Sequence, residues 1–449
     1  MIDLQTRPHS LIENWSELRG VLRASGPASL DAFREENFQR FESVGLPTIK
    51  DEEFKYVSFR EIAESKFEAA YGATILRGEI ESTALGKLAA ITVAFVNGQY
   101  APELSSTAIL PEGAFVGSLE DAFEQGLPVE DRLGRVASLE GRLGTTNDER
   151  LVHLNSAYLS EGAYIFIPRG VALETPIQLL YVSRADHGAF AAFPRTLIVI
   201  EENAQAKIIE TYVGLEGTYL NNAVTEVWLG ASANLEHTLY QHETPSAFHL
   251  KTVAVHQEGA SVYTSNNTNY GGKLVRNELN AFVDGEHAET WLNGANIGTG
   301  EQVVDNHTRI DHAKPNCNSF EVYKSILRDK ATGVFNGKIF VYQDAQKTDA
   351  KQTNQGILLS PTATFDTKPQ LEIFADDVKC THGATVGQLR SDALFYLQAR
   401  GIPKKQAQAL LVYAFAAEVL EKITIDEVRD ALEKVLFDKL NETEALPEG

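Results

Sequence analysis

From about residue 200 the sequence repeats itself at a nearly fixed interval, and that interval constrains the fold more than any single motif. Four short corners, Glu201-Glu202-Asn203-Ala204-Gln205-Ala206, Gly230-Ala231-Ser232-Ala233, Glu258-Gly259-Ala260-Ser261 and Gly285-Glu286-His287-Ala288, end 27, 28 and 27 positions apart. The runs between them are rich in β-branched and aromatic residues, as strands are. A strand–corner–strand unit of this size has no core of its own and must stack on its neighbours, which makes a β-solenoid. A sandwich or barrel also holds many short strands but needs no constant period. Farther on, Gln343-Asp344-Ala345, Ser360-Pro361-Thr362 and Ala375-Asp376-Asp377 recur at 17 and 15. On this reading the small and acidic corner residues are structural.

The chain divides around that repeat into an N-terminal helical region (1–85), a β core (86–387) and a C-terminal helical domain (388–449). In the first, Trp15, Leu18, Val21 and Leu22, then Leu30, Phe33, Phe38 and Phe41, recur at helical spacing. Ser29 or Asp31 is a candidate cap, and Gly45-Leu46-Pro47 ends the helix. The charged stretch Lys50-Asp51-Glu52-Glu53-Phe54-Lys55-Tyr56 reads as a solvated turn with two rings tucked beneath it. Strand patterning begins at Ile91-Thr92-Val93-Ala94-Phe95-Val96 before Asn97-Gly98, gives way to a helical excursion over about 118–160, and resumes at Tyr164-Ile165-Phe166-Ile167-Pro168. After Gly387, Ser391 or Asp392 starts a short helix that closes near Gly401, and Pro403 opens a helix from Lys404 to about Glu421. Ala409 to Ala417 run almost without a polar break, so this helix needs cover on nearly every side, from its own domain or from another protein. Thr424-x-x-Glu427 reads as a capping box for a last, one-sided helix.

Composition narrows the function classes. Forty Lys+Arg against 62 Asp+Glu give a formal charge of −22, which opposes nucleic acid and anionic membrane surfaces. The two cysteines, Cys317 and Cys380, can form neither a disulfide framework nor a thiolate-only zinc or iron–sulfur site. With neither an apolar run near 18 residues nor a basic leader, the expectation is a soluble cytoplasmic protein. Walker, His-Glu-x-x-His, Gly-x-Ser-x-Gly and dinucleotide signatures are missing, and Gly333-Val334-Phe335-Asn336-Gly337-Lys338-Ile339 has the wrong spacing for a phosphate loop. His237, His242, His249 and His256 look like metal spacing, yet 237 and 242 fall on opposite strand faces; His307 and His312 lie near them in sequence.

Cys380 and His382 form the more suggestive pair. Two apart in an extended segment, they share a face at about 6–7 Å, and sulfur with imidazole suits iron, copper or zinc. Lys379 beside Cys380 is expected to favour the thiolate. Two ligands do not close a four-ligand site, so a metal here needs others from another chain. A Cys–His nucleophile pair and an inert buried thiol remain open alternatives. Cys317, without such neighbours, reads as structural.

The runs Gly333–Ile339, Asp349-Ala350-Lys351-Gln352-Thr353-Asn354-Gln355, Lys368-Pro369-Gln370-Leu371-Glu372-Ile373, Ala375 to Thr385 and Leu394-Phe395-Tyr396-Leu397-Gln398-Ala399-Arg400-Gly401-Ile402 resemble the SufB/SufD family of iron–sulfur cluster assembly proteins. Weaker likeness reaches Gly45-Leu46-Pro47-Thr48 and Lys50–Glu53, and so covers nearly the whole chain. The pattern is closer to SufD: SufB tends to carry Glu-His-Glu-Ala-Thr where this chain has Lys379-Cys380-Thr381-His382-Gly383, and a cysteine at the position of Leu397. Phe54 stands where Trp is usual. The resemblance implies a mainly β fold, with a right-handed parallel β-helix core between helical terminal domains. It also implies a non-enzymatic scaffold that pairs with SufB and binds the ATPase SufC, no nucleotide of its own, and an iron–sulfur cluster or iron shared transiently with SufB. Cys380 and His382 fall on the family's Cys-x-His near that interface. Leu410, Leu411, Tyr413 and Phe415 become candidate SufC-docking residues, and an isolated chain could pair with itself. Two other readings are a β-helix enzyme acting on polysaccharide through Asp376 and Asp377, and the sister scaffold SufB.

Overall fold

A computed structural model describes residues 10–15, 28–70, 72–106, 108–143 and 149–441. Leu18, Val21 and Leu22 of the first expected helix lie outside them. Strands account for 41% and helices for 21%, and the strands stack as a solenoid of about eight turns. Each turn contributes one strand to each of two sheets. One sheet runs through Gly162–Ile167, Arg195–Ile200, Tyr219–Leu229, Phe248–Gln257, Leu274–Val283, Val303–His312, Thr332–Val341 and Thr364–Ile373. The other runs through Ile177–Arg184, Gln205–Glu216, Asn234–His242, Val262–Asn269, Glu289–Gly298, Asn318–Leu327, Asp349–Leu358 and Lys379–Gly387. Neighbours along both stacks are parallel and hold an unbroken register over the last five turns.

The corners explain the period. Asn203, Ser232, Ala260, His287, Asn316 and Lys347 all have φ between 56° and 65°, the left-handed conformation that turns the chain from one sheet into the other. The N–H of Asn203, Ser232, Ala260, Asn316 and Lys347 donates to a carbonyl in the corner of the next turn, at 2.6–2.9 Å. The residue that follows each corner, Ala204, Ala233, Ser261, Ala288, Cys317 and Thr348, is fully buried. That column has room only for small side chains, and Cys317 occupies a place that alanine and serine fill elsewhere. The later half-spacings arise because Gln343–Ala345 and Ala375–Asp377 sit on one edge of the solenoid and Ser360–Thr362 on the other.

Inside, Ile165, Leu179, Ile198, Ile208, Val227, Leu235, Val255 and Leu279 make apolar layers, interrupted by a buried ionic knot. Glu210 accepts from Lys251 Nζ at 2.6 Å, Tyr212 Oη at 2.8 Å and Thr225 Oγ1 at 2.6 Å, and lies 3.0 Å from His237 Nε2. Burial alone would raise the Glu210 carboxyl, but Lys251 and His237 hold it well below the carboxylate range. A slipped register would leave these charges unpaired in the interior, so the knot opposes slippage.

Helices cover the outer faces. Phe38, Phe41, Phe54, Phe59 and Ile62 pack on Leu220, Phe248, Leu250, Leu274 and Val334 of the first sheet. Helix Lys404–Leu420 and helix Asp426–Asn441 pack on the second, where Val412, Ala416, Val419, Val428 and Leu432 meet Ile209, Tyr240, Ala295 and Ile326. The apolar circumference of Lys404–Leu420 is thus divided between sheet and partner helix, with one side left over. Two expected caps are replaced by tertiary partners. Ser29, inside helix Ala28–Val44, donates to Glu130, and Thr424 gives its hydroxyl to Glu236 on the solenoid instead of closing a box with Glu427. The stretch 50–56 is a solvated turn only in part: Lys50, Glu52 and Lys55 are exposed and Phe54 is tucked beneath at 1% exposure, but Tyr56 is exposed and Glu53 is tied to the first sheet.

Candidate functional site

The last turn of the solenoid is open. Strands Thr364–Ile373 and Lys379–Gly387 end their sheets, and no described residue pairs with their outer edges. The chain leaves this turn through helix Ser391–Gln398, which has no buried residue, and folds back along the side of the solenoid without covering its end. Ile373, Phe374 and Val386 are consequently exposed apolar residues at the mouth, Phe374 at 53% and Val386 at 43%.

Cys380 and His382 lie on this turn. Register stacks Cys380 on Ala350 and His382 on Gln352, both interior positions, so the pair shares the inward face at the open end. Cys380 is half-buried against Ile339, Val341, Ala345 and Ala350, and His382 is exposed. Desolvation raises the Cys380 thiol, and Asp349 adds to the effect against a backbone bond from Ala350. The expected help from Lys379 does not materialise, because adjacent strand residues point to opposite faces. Among the described residues no group of three or more His, Cys, Asp or Glu could hold a metal. This pair therefore offers two donors and an open side.

Beneath the pair is a polar layer. Glu321, 1% exposed, accepts from Gln352 Nε2 at 2.8 Å, and burial pushes its carboxyl up to about 7. The remaining Glu321 oxygen, Gln352 Oε1 and Asn354 Oδ1 are buried without hydrogen-bond partners.

Leu410 is 46% exposed, while Tyr413 and Phe415 are partly buried against the sheet and Leu411 is intermediate. Tyr413 donates to Glu433 at 2.9 Å, and Lys324 Nζ sits 4.6 Å from the Phe415 ring. Of the four, Leu410 faces outward most. Phe395 at 72% and Tyr396 are more exposed still. Both stand in the Leu-Phe-Tyr motif.

The other candidates separate. His237 faces the interior knot, His242 bonds Tyr240 Oη on the outer face, His256 stacks on Trp228, and His312 meets Ser319 at 2.9 Å. His307 lies 3.0 Å from Asp305. Cys317 donates to the Gly285 carbonyl at 3.1 Å, and burial raises its thiol. Asp377 closes a corner on Lys347 through its carbonyl and its carboxylate, so it forms no free acid pair with Asp376.

Comparison with known proteins identifies the family. The family described as "SUF system FeS cluster assembly, SufBD core domain" matches residues 181–415, and "SufBD protein N-terminal region" matches 5–179. An iron–sulfur cluster assembly SufBD family protein of Synechocystis is 34% identical over 400 residues, covering 87% of this chain and 86% of its own. Iron-sulfur cluster assembly protein SufD of Escherichia coli is 32% identical over 394 residues, 87% and 88%. Protein ABCI7, chloroplastic, of Arabidopsis thaliana is 31% identical over 423 residues, 92% and 87%. Among the described residues no helix is long and apolar enough to cross a membrane. A two-sheet solenoid between helical ends, a core match over more than half the chain and relatives named SufD together make this chain a member of the SufB/SufD family of SUF iron–sulfur cluster assembly proteins, most like SufD.

Proposed function

We propose that this chain is a non-catalytic scaffold subunit that pairs with a SufB-type chain through the open end of its solenoid and presents Cys380 and His382 as donors to iron or a nascent cluster. The open last turn carries the reading: two metal-ligating side chains share its inward face, ringed by exposed Ile373, Phe374 and Val386. Two donors leave a four-ligand site half-built, and the missing ligands are the partner chain's. Iron or cluster is cargo here, held while the complex exists. Loading displaces the Cys380 thiol proton, whose departure burial opposes. Leu410, with Leu411, Tyr413 and Phe415 behind it, is the docking side for SufC, which supplies ATP hydrolysis. The complex works in the cytoplasm, and the chain self-pairs through the same edge when its partner is missing.

Co-purification with SufB and SufC, followed by anaerobic iron and sulfide analysis, tests this. The expected result is a ternary complex whose cluster content falls at least tenfold in His382→Ala with the complex intact. Normal cluster content in that variant would remove the ligand role, and a chain that binds neither partner would overturn the scaffold reading.

A further inference from the structure

Gln352 touches two residues that no metal-site argument requires, Glu321 and Gly337. It lies in the strand Asp349–Leu358, one turn in from the open end, with its side chain buried to 1% exposure. Its Nε2 donates to Glu321 Oε2 at 2.8 Å, on the neighbouring strand away from the mouth. A planar amide anchored by its nitrogen on one side turns its oxygen away from that anchor. Gln352 Oε1 is buried and has no partner, and the next strand in that direction places His382 in direct register with Gln352.

The opposite sheet is shaped around the same amide. A Cβ on Gly337 would come within 2.0 Å of Gln352 Nε2 and 2.8 Å of its Cδ. The amide therefore crosses the interior and rests on a backbone position where a side chain would collide with it. This explains a glycine in the Gly333–Ile339 run that a phosphate-loop reading cannot use. A buried carbonyl oxygen left without a donor is destabilising, and His382 carries an N–H one strand away. Metal-ligating histidines characteristically donate their second ring N–H to such an acceptor, which fixes the tautomer and the ring's orientation.

We propose that Gln352, held by Glu321 and accommodated by Gly337, is the positioning residue for His382: its Oε1 accepts one ring N–H and leaves the other nitrogen unprotonated toward the open end. The inference rests on the ligand role given to His382 above, but its test does not. The full-length chain with 15N-labelled histidine is followed by imidazole NMR above the titration range, with the His382 signals assigned by their loss in His382→Ala. Wild type is expected to show one fixed tautomer. Gln352→Leu should collapse the separation between the two ring nitrogens to the average of exchanging tautomers, and Gly337→Ala should do the same by displacing the amide. Should Gly337→Ala fail to fold, Gln352→Leu decides alone. Averaged nitrogens in wild type, or a fixed tautomer surviving in Gln352→Leu, would overturn the proposal. A fixed tautomer beside undiminished cluster formation in His382→Ala would instead keep this geometry and remove the ligand role.

Discussion

Glu53 ties the N-terminal region to the solenoid. Its Oε1 accepts from Lys338 Nζ at 2.6 Å and its Oε2 from Asn336 at 3.1 Å, and His307 Nδ1 lies at 3.6 Å. Its carbonyl accepts from Arg276, whose guanidinium stacks 4.0 Å from the Phe54 ring. Burial would raise the Glu53 carboxyl, but the bonds from His307 and Lys338 hold it at about 2, below its ordinary 4.5. His307 is buried beside Arg276, and both lower it, yet Asp305 and Glu53 keep it above its ordinary value. The depressed acid contributes stability above pH 4.5 that is lost as the pH falls toward 2. The raised imidazole contributes stability below its ordinary value that is lost as the pH rises through its folded value. The hook is accordingly strongest between about pH 4.5 and 6.5. Glu53→Gln should cost about 3 kcal/mol in urea unfolding at pH 6, as breaking one side of a buried pair does, and should flatten the acid decline. An unchanged slope between pH 4.5 and 2 would show that the charge is not what holds the segment.

At the scale of the element, the corners carry an expectation opposite to the usual one. Ala260 is exposed and sits at φ 56°, where its N–H donates to the Glu286 carbonyl at 2.8 Å. A Cβ in the left-handed region costs about 1–2 kcal/mol, and glycine removes that cost at some expense in unfolded-chain entropy. Ala260→Gly should therefore raise the unfolding free energy by about 0.5–1 kcal/mol, whereas the same change within a strand lowers it. A loss at Ala260 would mean that the corner is not strained. These corners also show why the solenoid was legible: their conformation and the small column behind them repeat locally, leaving the near-regular spacing of Ala204, Ala233, Ser261 and Ala288 on the chain. Cys380 and His382 were legible as a pair because a two-residue spacing on a strand fixes a shared face. Elements whose partners are remote were not. Glu53 looked solvated because Lys338 lies 285 positions away, and Thr424 looked like a cap because its real acceptor, Glu236, is 188 positions away. The exposure of Phe395 and Tyr396 depends on where the C-terminal helices fold back, which helical periodicity alone does not determine.

The whole molecule is asymmetric along its axis. Helices pack on both outer faces, yet the last turn ends in two unpaired strand edges with an apolar rim. Such an edge pairs with other chains unless charge or cover prevents it; here Lys347 is paired with Asp377 at the corner and Lys368 with Glu52 of the N-terminal hook, while Asp366, Glu372 and Lys379 stand on the two edge strands. The chain's −22 charge opposes association of two copies more than association with a less acidic partner. Self-pairing, where it occurs, should therefore strengthen as salt screens that repulsion. Phe374→Lys and Val386→Lys place two charges on the rim at positions 53% and 43% exposed. The double variant F374K/V386K should keep an unfolding free energy within about 0.5 kcal/mol of wild type, as exposed substitutions do, while capture of a SufB-type partner falls at least tenfold in a binding titration at fixed salt. Undiminished capture would move the pairing surface away from the open end, and Cys380 and His382 would then face solvent with no second chain to complete their site.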